Sequence, residues 1–340
     1  MAEIYLKAIP DKAQFDARYK MKREYGIKGV EVLLPRDYST SDDQFMETMR
    51  YGAELFEGKM NIEAPPLVGR SIDFDFFCST AGEVSRRLFS EAISLRRMLG
   101  LDGIISFHPI YHSHRDYVEE NAHHNVVRTE EGCKKIRDYV ERLGENGILV
   151  ENLYPHVYMR KENPEDEKEK ARVYFSEVGM MMNDFTKYGL GLPMTFDTAH
   201  IGITMYFCEL IQANYDARMP APFNVTLGFD KEAWKIGETV RYFGYTEALN
   251  HIIEEYNRSR LLDVVNVHLV NAGRGYGWNA DHCTALDDKE GLFDMEKACR
   301  SVMKFDPKYI VPEIDEDGPQ GYIDIPNTRR LLDLMKRVGV

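Results

Sequence analysis

Eight short apolar segments, which alternate with helical patterns, constrain the fold more than any other feature of this sequence. They begin near Ile4, Lys28, Lys59, Gly103, Gly147, Leu192, Asp263 and Lys308 and read IYLKAI, KGVEVLL, KMNIEA, GIISFH, GILVEN, LPMTFD, DVVNVHL and KYIVPEI. Compact runs rich in valine and isoleucine are typical of parallel strands buried on both faces. Helical patterns lie between them, at about 80–99, 130–144, 167–188, 231–257, 292–304 and 326–338. Several helical stretches end at a glycine that suits a C-cap, namely Gly26, Gly100, Gly144 and Gly189.

Eight strand–helix units predict an α/β fold, a (β/α)8 TIM barrel that forms a single domain over residues 1–340. An open doubly wound sheet is the alternative, but no glycine fingerprint follows the first strand, where the sequence reads KAIPDKAQF. Extra chain at about 201–229 and 270–291 predicts extended loops after strands six and seven, on the catalytic face. These loops form either a lid or a subunit contact, so a homo-oligomer is one of two open alternatives.

Composition excludes several classes of protein. Lysine and arginine number 43 against 56 aspartates and glutamates, and this net charge of −13 argues against a nucleic-acid partner. Five cysteines without a CxxC pair predict reduced thiols in a cytoplasmic protein rather than disulfides or a zinc ribbon. No apolar run reaches the length of about 18 residues that a membrane span needs, and the first residues lack the features of a secretory signal. The partner we expect is a small-molecule substrate.

Residues that could bind a metal end five of the predicted strands. They are His108, Glu151, Asp197, His268 and Glu313, at the ends of strands four to eight. In a barrel these ends converge on one rim, where TIM-barrel enzymes hold their active sites. One such residue alone is commonly a cap or a hydrogen-bonded structural group, but this many carboxylates together are costly to bury without a cation. The pattern therefore predicts a metal site.

The pattern resembles the xylose-isomerase-like TIM-barrel superfamily, which includes sugar isomerases, epimerases of the tagatose-epimerase type and the endonuclease IV family. The matching segments are ILVEN at 148–152, FDTAH at 196–200, VHL at 267–269 and VPE at 311–313. The resemblance implies one divalent ion (Mn²⁺, Co²⁺, Mg²⁺ or Zn²⁺) bound by Glu151, Asp197, His268 and Glu313. This oxygen-rich set suits such ions.

The resemblance also implies an activity, which is isomerisation or epimerisation of a sugar or sugar-like hydroxycarbonyl compound through an enediolate. Glu151 and Glu313 would be catalytic, and the substrate would be bound by His108, His200 and Arg274. The chain departs from the epimerase pattern because no additional glutamate follows Glu151 within ENLYPHV.

The chain also departs from the endonuclease pattern. Glu63 stands where the endonucleases carry a histidine, and Asp281 and His282 are adjacent where they carry Asp-x-His. A second metal site is therefore a weaker prediction, with Glu63, His108, Asp281 and His282 as its candidates. A metal-dependent hydrolase or lyase that cleaves a phosphodiester or glycoside is the first alternative function. A non-catalytic metal-binding barrel is the second.

Overall fold

A closed barrel of eight parallel strands forms the centre of the computed structural model, which describes residues 2–35, 37–64, 81–108, 134, 137–152, 156–160, 172–176, 191–216, 227–259, 262–274, 280–284, 291–314 and 326–340. The barrel strands are Glu3–Ala8 (β1), Gly29–Leu33 (β2), Met60–Glu63 (β3), Ile105–Phe107 (β4), Ile148–Glu151 (β5), Met194–Asp197 (β8), Val264–Leu269 (β9) and Tyr309–Pro312 (β12). Their order around the barrel is β1-β12-β9-β8-β5-β4-β3-β2. Each strand overlaps one of the eight predicted segments, so the predicted TIM barrel is confirmed.

Two antiparallel hairpins lie outside the barrel. One joins His156–Arg160 (β6) to Arg172–Ser176 (β7), and the other joins Asn271–Arg274 (β10) to Ala280–Thr284 (β11). The helix predicted over 167–188 is therefore wrong across β7. The sequence of β7, RVYFS, is rich in residues that favour strands, and all its residues pair with β6, so strand pairing overrides the helical periodicity. The second hairpin lies in the extended segment predicted after the seventh barrel strand.

The helices with assigned bounds are Lys12–Tyr25 (α1), Asp43–Leu55 (α2), Ala81–Leu99 (α3), Thr198–Asp216 (α4), Leu227–Phe243 (α5), Tyr245–Ser259 (α6), Met295–Val302 (α7) and Pro326–Val338 (α8). Helix α1 ends at Gly26, whose φ of 73° is the left-handed conformation expected of a glycine cap. The single helix predicted over 231–257 is broken into α5 and α6 at Gly244, where φ is 77°. Among the residues that these ranges cover, no helix combines the length and the apolar character needed to cross a membrane.

The chain after the sixth barrel strand is more regular than predicted. The extended loop expected at 201–229 is helical as far as Asp216, because α4 begins directly after β8, and α5 resumes at Leu227. Within this segment, residues 217–226 lie outside the described part of the chain. The predicted helix cap Gly189 also lies outside it.

The barrel interior has an apolar layer beneath a layer of charged side chains. A buried cluster, which we call the apolar floor, contains Tyr5, Ile104, Leu149, Tyr309 and Val311. Their sequence neighbours Leu6, Val150 and Ile310 belong instead to the larger core that also includes helix residues. Alternate residues of a strand point to the same face. Lys7, Glu151 and Glu313 each follow a member of the floor by two positions and are buried above it. The charged residues of these strands therefore lie closer to the C-terminal end of the barrel than the apolar floor does.

Candidate metal centre

The four residues predicted as metal ligands come together at the C-terminal ends of the strands. One ligand atom from each of Glu151, Asp197 and His268 lies within 4.8 Å of the others. The Nδ1 atom of His268 is 3.3 Å from Glu151 Oε1 and 3.7 Å from Asp197 Oδ2. Glu313 completes the group, since its Oε2 lies 2.7 Å from the same nitrogen. All four side chains are buried.

The donor atoms of this group fit a divalent ion. His268 Nδ1 and Glu313 Oε2 are buried and make no hydrogen bond, although they are close together. Ligands that each lie about 2.1 Å from one ion stand about 3 Å apart when they are neighbours. The 2.7, 3.3 and 3.7 Å separations around His268 Nδ1 bracket this value. An ion bound by Glu151, Asp197, His268 and Glu313 would therefore satisfy atoms that the protein brings together without hydrogen bonds.

The electrostatics of the centre balance burial against imidazole–carboxylate attraction. Burial raises the pKa of Glu151, but the charges of His268 and His108 outweigh it, and the pKa lies well below its usual range. Burial lowers the pKa of His268, yet Glu151 and neighbouring carboxylates hold it well above its usual value. Burial also raises the pKa of Glu313, but the charges of Lys7 and His268 outweigh it, and this pKa is lowered as well. Both glutamates are thus ionised at neutral pH, as metal ligands and general bases must be.

Asn152 holds the backbone of Asp197 in place. Its Nδ2 donates to the Asp197 carbonyl oxygen over 3.1 Å, and its Oδ1 accepts from the Asp197 backbone N–H over 2.7 Å. The Oδ1 atom of Asp197 accepts a hydrogen bond from the backbone N–H of His200 over 2.8 Å, as an N-cap residue does at the start of a helix. Oδ1 is therefore used by the helix, and Oδ2 is the oxygen that faces His268.

The two histidines predicted to bind substrate both border Glu151. His108 Nε2 is 3.2 Å and His200 Nδ1 is 3.4 Å from Glu151 Oε1. His200 Nδ1 is also 2.7 Å from the Asn152 carbonyl oxygen. Because a carbonyl only accepts, Nδ1 carries the proton, and Nε2 is the nitrogen left to accept a hydrogen bond or bind a metal. One ligand atom each of His108, Glu151 and His200 forms a second group within 4.8 Å.

Glu63, a further candidate for the second ion, belongs to a different group. Glu63 forms a ligand-atom group with Glu31 and His268 instead. Arg274 lies at the end of β10, and Asp281 and His282 lie in the paired strand β11. The side chains of these three residues are outside the described part of the structure, so their roles stay predictions.

Two charged residues of the centre, Lys7 and Glu31, were not among the predicted site residues. Lys7 Nζ is 3.1 Å from Glu31 Oε1 and 3.2 Å from Glu313 Oε1, and it also pairs with Glu63. Glu31 Oε1 lies 2.7 Å from His268 Nε2, the ring nitrogen opposite the predicted metal position. A carboxylate behind a ligand histidine fixes the orientation of the ring. The sequence feature that could have indicated them is that each interrupts an otherwise apolar strand, Lys7 in IYLKAI and Glu31 in KGVEVLL.

Three polar side chains inside the barrel support the carboxylates. Ser106 donates to Glu151 Oε2 over 3.3 Å, and Asn266 donates to Glu31 Oε2 over 3.0 Å. Both also hydrogen-bond Thr195 Oγ1. Because all three are buried, this network fixes the carboxylates from below.

The chain is similar in fold to several solved structures. No protein-family model matches the sequence, and no curated protein sequence is significantly similar to it. One similar structure is endonuclease IV from Thermus thermophilus, with 15% identity, a TM-score of 0.49 and coverage of 98% of this chain and 99% of that chain. Another is a D-tagatose 3-epimerase-like protein, with 12% identity, a TM-score of 0.49 and coverage of 98% and 96%. The likeness concerns the fold alone.

Proposed function

We propose that the protein is a divalent-metal-dependent isomerase or epimerase that acts on a sugar or sugar-like hydroxycarbonyl compound. The observation that carries the proposal is the meeting of Glu151, Asp197, His268 and Glu313 at the C-terminal rim of the barrel. Three carboxylates and one imidazole suit Mn²⁺, Co²⁺, Mg²⁺ or Zn²⁺.

The charge balance of the centre supports a bound cation. We call the following set the carboxylate cluster: Lys7, Glu31, Glu63, Glu151, Asp197, His268 and Glu313. All its members are buried, and it contains five carboxylates but one ammonium group. Burying this much negative charge is costly unless a cation compensates for it. A divalent ion beside His268 Nδ1 supplies such compensation.

The proposed chemistry is proton transfer next to a carbonyl. A bound divalent ion supplies Lewis-acid stabilisation of the negative charge that develops on the substrate oxygens. Of Glu151 and Glu313, one carboxylate removes the proton from carbon and becomes protonated, and the other, after taking up a proton from solvent, delivers one to the opposite side of the carbon. His200 accepts a substrate hydroxyl proton in a hydrogen bond through Nε2.

The pattern of exposure supports a substrate on the outer side of the centre. The side chains of Glu313 and His108 are 8% and 9% exposed, whereas those of Asp197 and His268 are 0% exposed. The substrate therefore reaches the ion from the side of Glu313 and His108.

A metal-dependent hydrolase or lyase is the second candidate. The observation that favours it is the group of His108, Glu151 and His200, which shares Glu151 with the first metal position. Two ions that share one carboxylate could activate water for cleavage of a phosphodiester or glycoside.

Metal content decides between these functions. Elemental mass spectrometry of protein purified without chelators should give about one divalent ion per chain for the isomerase, and about two for the hydrolase or lyase. Absence of metal, with none taken up on dialysis, would overturn both.

A variant tests the catalytic role of Glu313. In a screen of sugars and sugar-like ketones, Glu313→Gln should abolish the turnover found for the unmodified protein while the fold is kept. Glu47→Gln, at an exposed residue paired with Lys12, is the matched control and should keep full turnover. A fully active Glu313→Gln protein that retains its metal would refute the role.

A further inference from the structure

The ammonium group of Lys7 occupies the meeting point of three buried carboxylates. It is 3.1 Å from Glu31 Oε1, 3.2 Å from Glu313 Oε1 and in direct contact with Glu63. The side chains of Lys7, Glu31 and Glu63 are at most 3% exposed. Three carboxylates around one ammonium exceed what a single buried ion pair needs.

The surroundings of Lys7 have the composition of a metal site. Ligand atoms of Glu31, Glu63 and His268 lie within 4.8 Å of one another, the same limit that the group of Glu151, Asp197 and His268 meets. His268 borders both groups, with Nε2 toward Glu31 and Nδ1 toward the predicted ion, so the ligands left for a second cation are oxygens of Glu31, Glu63 and Glu313. Glu313 also joins them, through Oε1 to Lys7 and Oε2 to His268. The barrel therefore builds two adjacent cation positions.

The position of Lys7 is fixed from both sides of its strand. Lys7 pairs in register with Glu31 of the neighbouring strand β2. The buried Arg18 of α1 donates from Nε to the Lys7 carbonyl oxygen over 2.9 Å. The backbone that carries the ammonium group is thus held on both sides, and Lys7 itself is buried.

We propose that Lys7 is a built-in cation that occupies the second of these two positions, between Glu31, Glu63 and Glu313, and so excludes a divalent ion from it. This inference rests on the proposed function, because it assigns the number of ions in the same centre. An ammonium group neutralises one charge but, unlike a metal ion, offers no open coordination position for water or substrate. Lys7 thereby neutralises charge at this position without adding a metal ion next to the one predicted beside His268 Nδ1.

Removal of Lys7 should open the second position. Lys7→Ala deletes the ammonium and its stem, so we expect the Mn²⁺ content to rise from about one to about two ions per chain. Addition of Glu63→Gln to Lys7→Ala should return the count to about one, because a ligand of the new site is lost. Lys12→Ala is the matched control, since Lys12 is an exposed lysine paired with one glutamate, and its count should equal that of the unmodified protein.

Elemental mass spectrometry after equilibration with Mn²⁺ separates the outcomes. One ion in both the unmodified protein and Lys7→Ala would overturn the role of Lys7 and leave the proposed function intact. Two ions in both the unmodified protein and Lys7→Ala would overturn it as well and favour the hydrolase. No ion in the unmodified protein but one in Lys7→Ala would support the role of Lys7 and overturn the proposed function.

Folding of the variant gives a second readout. Without its cation, Lys7→Ala leaves three carboxylates uncompensated and is expected to be destabilised in metal-free buffer. Millimolar Mn²⁺ should restore its thermal stability. A Lys7→Ala protein that stays unfolded at this concentration would overturn the proposal.

Discussion

Replacement of Asn152 by alanine should weaken both the fold and the metal centre. The change removes the two hydrogen bonds that the Asn152 side chain makes with the Asp197 backbone, of 3.1 and 2.7 Å. Both backbone groups are buried and would lose these partners. A net loss of about 1 kcal/mol per hydrogen bond, and up to about 3 kcal/mol for each buried group left unpaired, predicts a free energy of unfolding lower by about 2–6 kcal/mol.

The same change should reduce metal affinity, because Asp197 is then held only through its strand and its helix cap. Loss of a residue that orients a ligand typically lowers metal affinity by about 10- to 100-fold. Calorimetric titration with Mn²⁺ measures the affinity, and urea unfolding of the metal-free protein measures the stability.

Asn271 provides a matched control for this experiment. It is equally buried, and its side chain makes the same pair of hydrogen bonds with the backbone of Phe293, of 3.1 and 3.0 Å. Asn271→Ala should therefore lose a similar free energy of unfolding but keep its affinity for Mn²⁺. If both variants lose affinity equally, or if Asn152→Ala keeps full affinity, the proposed link between Asn152 and the ligand Asp197 is refuted.

Two further predictions concern residues outside the centre. Gly103→Ala should lower the free energy of unfolding by about 3 kcal/mol or more, since its Cβ would lie 1.8 Å from the Met60 carbonyl oxygen. Gly26 has open space around it and a φ of 73°, so Gly26→Ala should lower the free energy of unfolding by only about 1 kcal/mol. Equal losses for the two glycine variants in urea unfolding would contradict the steric explanation. Burial raises the pKa of the Cys208 and Cys299 thiols to about 12, so neither should react with iodoacetamide at about pH 8 until the protein is unfolded. Mass-spectrometric mapping checks this, and labelling of either cysteine in the folded protein would contradict it.

The sequence was sufficient to predict the barrel and the residues that meet at its rim. Each barrel strand is an apolar run long enough to be recognised alone, and Glu151, Asp197 and Glu313 stand where such a run stops. Their convergence follows from the barrel geometry, which brings all the strand ends to one side.

Other features depend on contacts between distant parts of the chain. Lys7 and Glu31 lie within strands, where a single charged residue is also typical of a solvent-facing position, and only closure of the barrel turns both inward against Glu63. The conformation of β7 likewise depends on its pairing with β6. The helical periodicity over 167–188 contains no information about that pairing.

The apolar floor and the charged layer above it have a consequence for folding. A shift of one residue in β1 would turn Lys7 toward the helices and Leu6 toward the barrel interior, because the side-chain period of a strand is two. The ammonium would then lose its three carboxylates. The same slip in β5 would place Glu151 among the apolar side chains where Val150 now packs, and a buried unpaired charge costs several kcal/mol. The residues proposed to carry out the chemistry therefore also favour the correct strand register, because a shifted strand would bury their charges without partners.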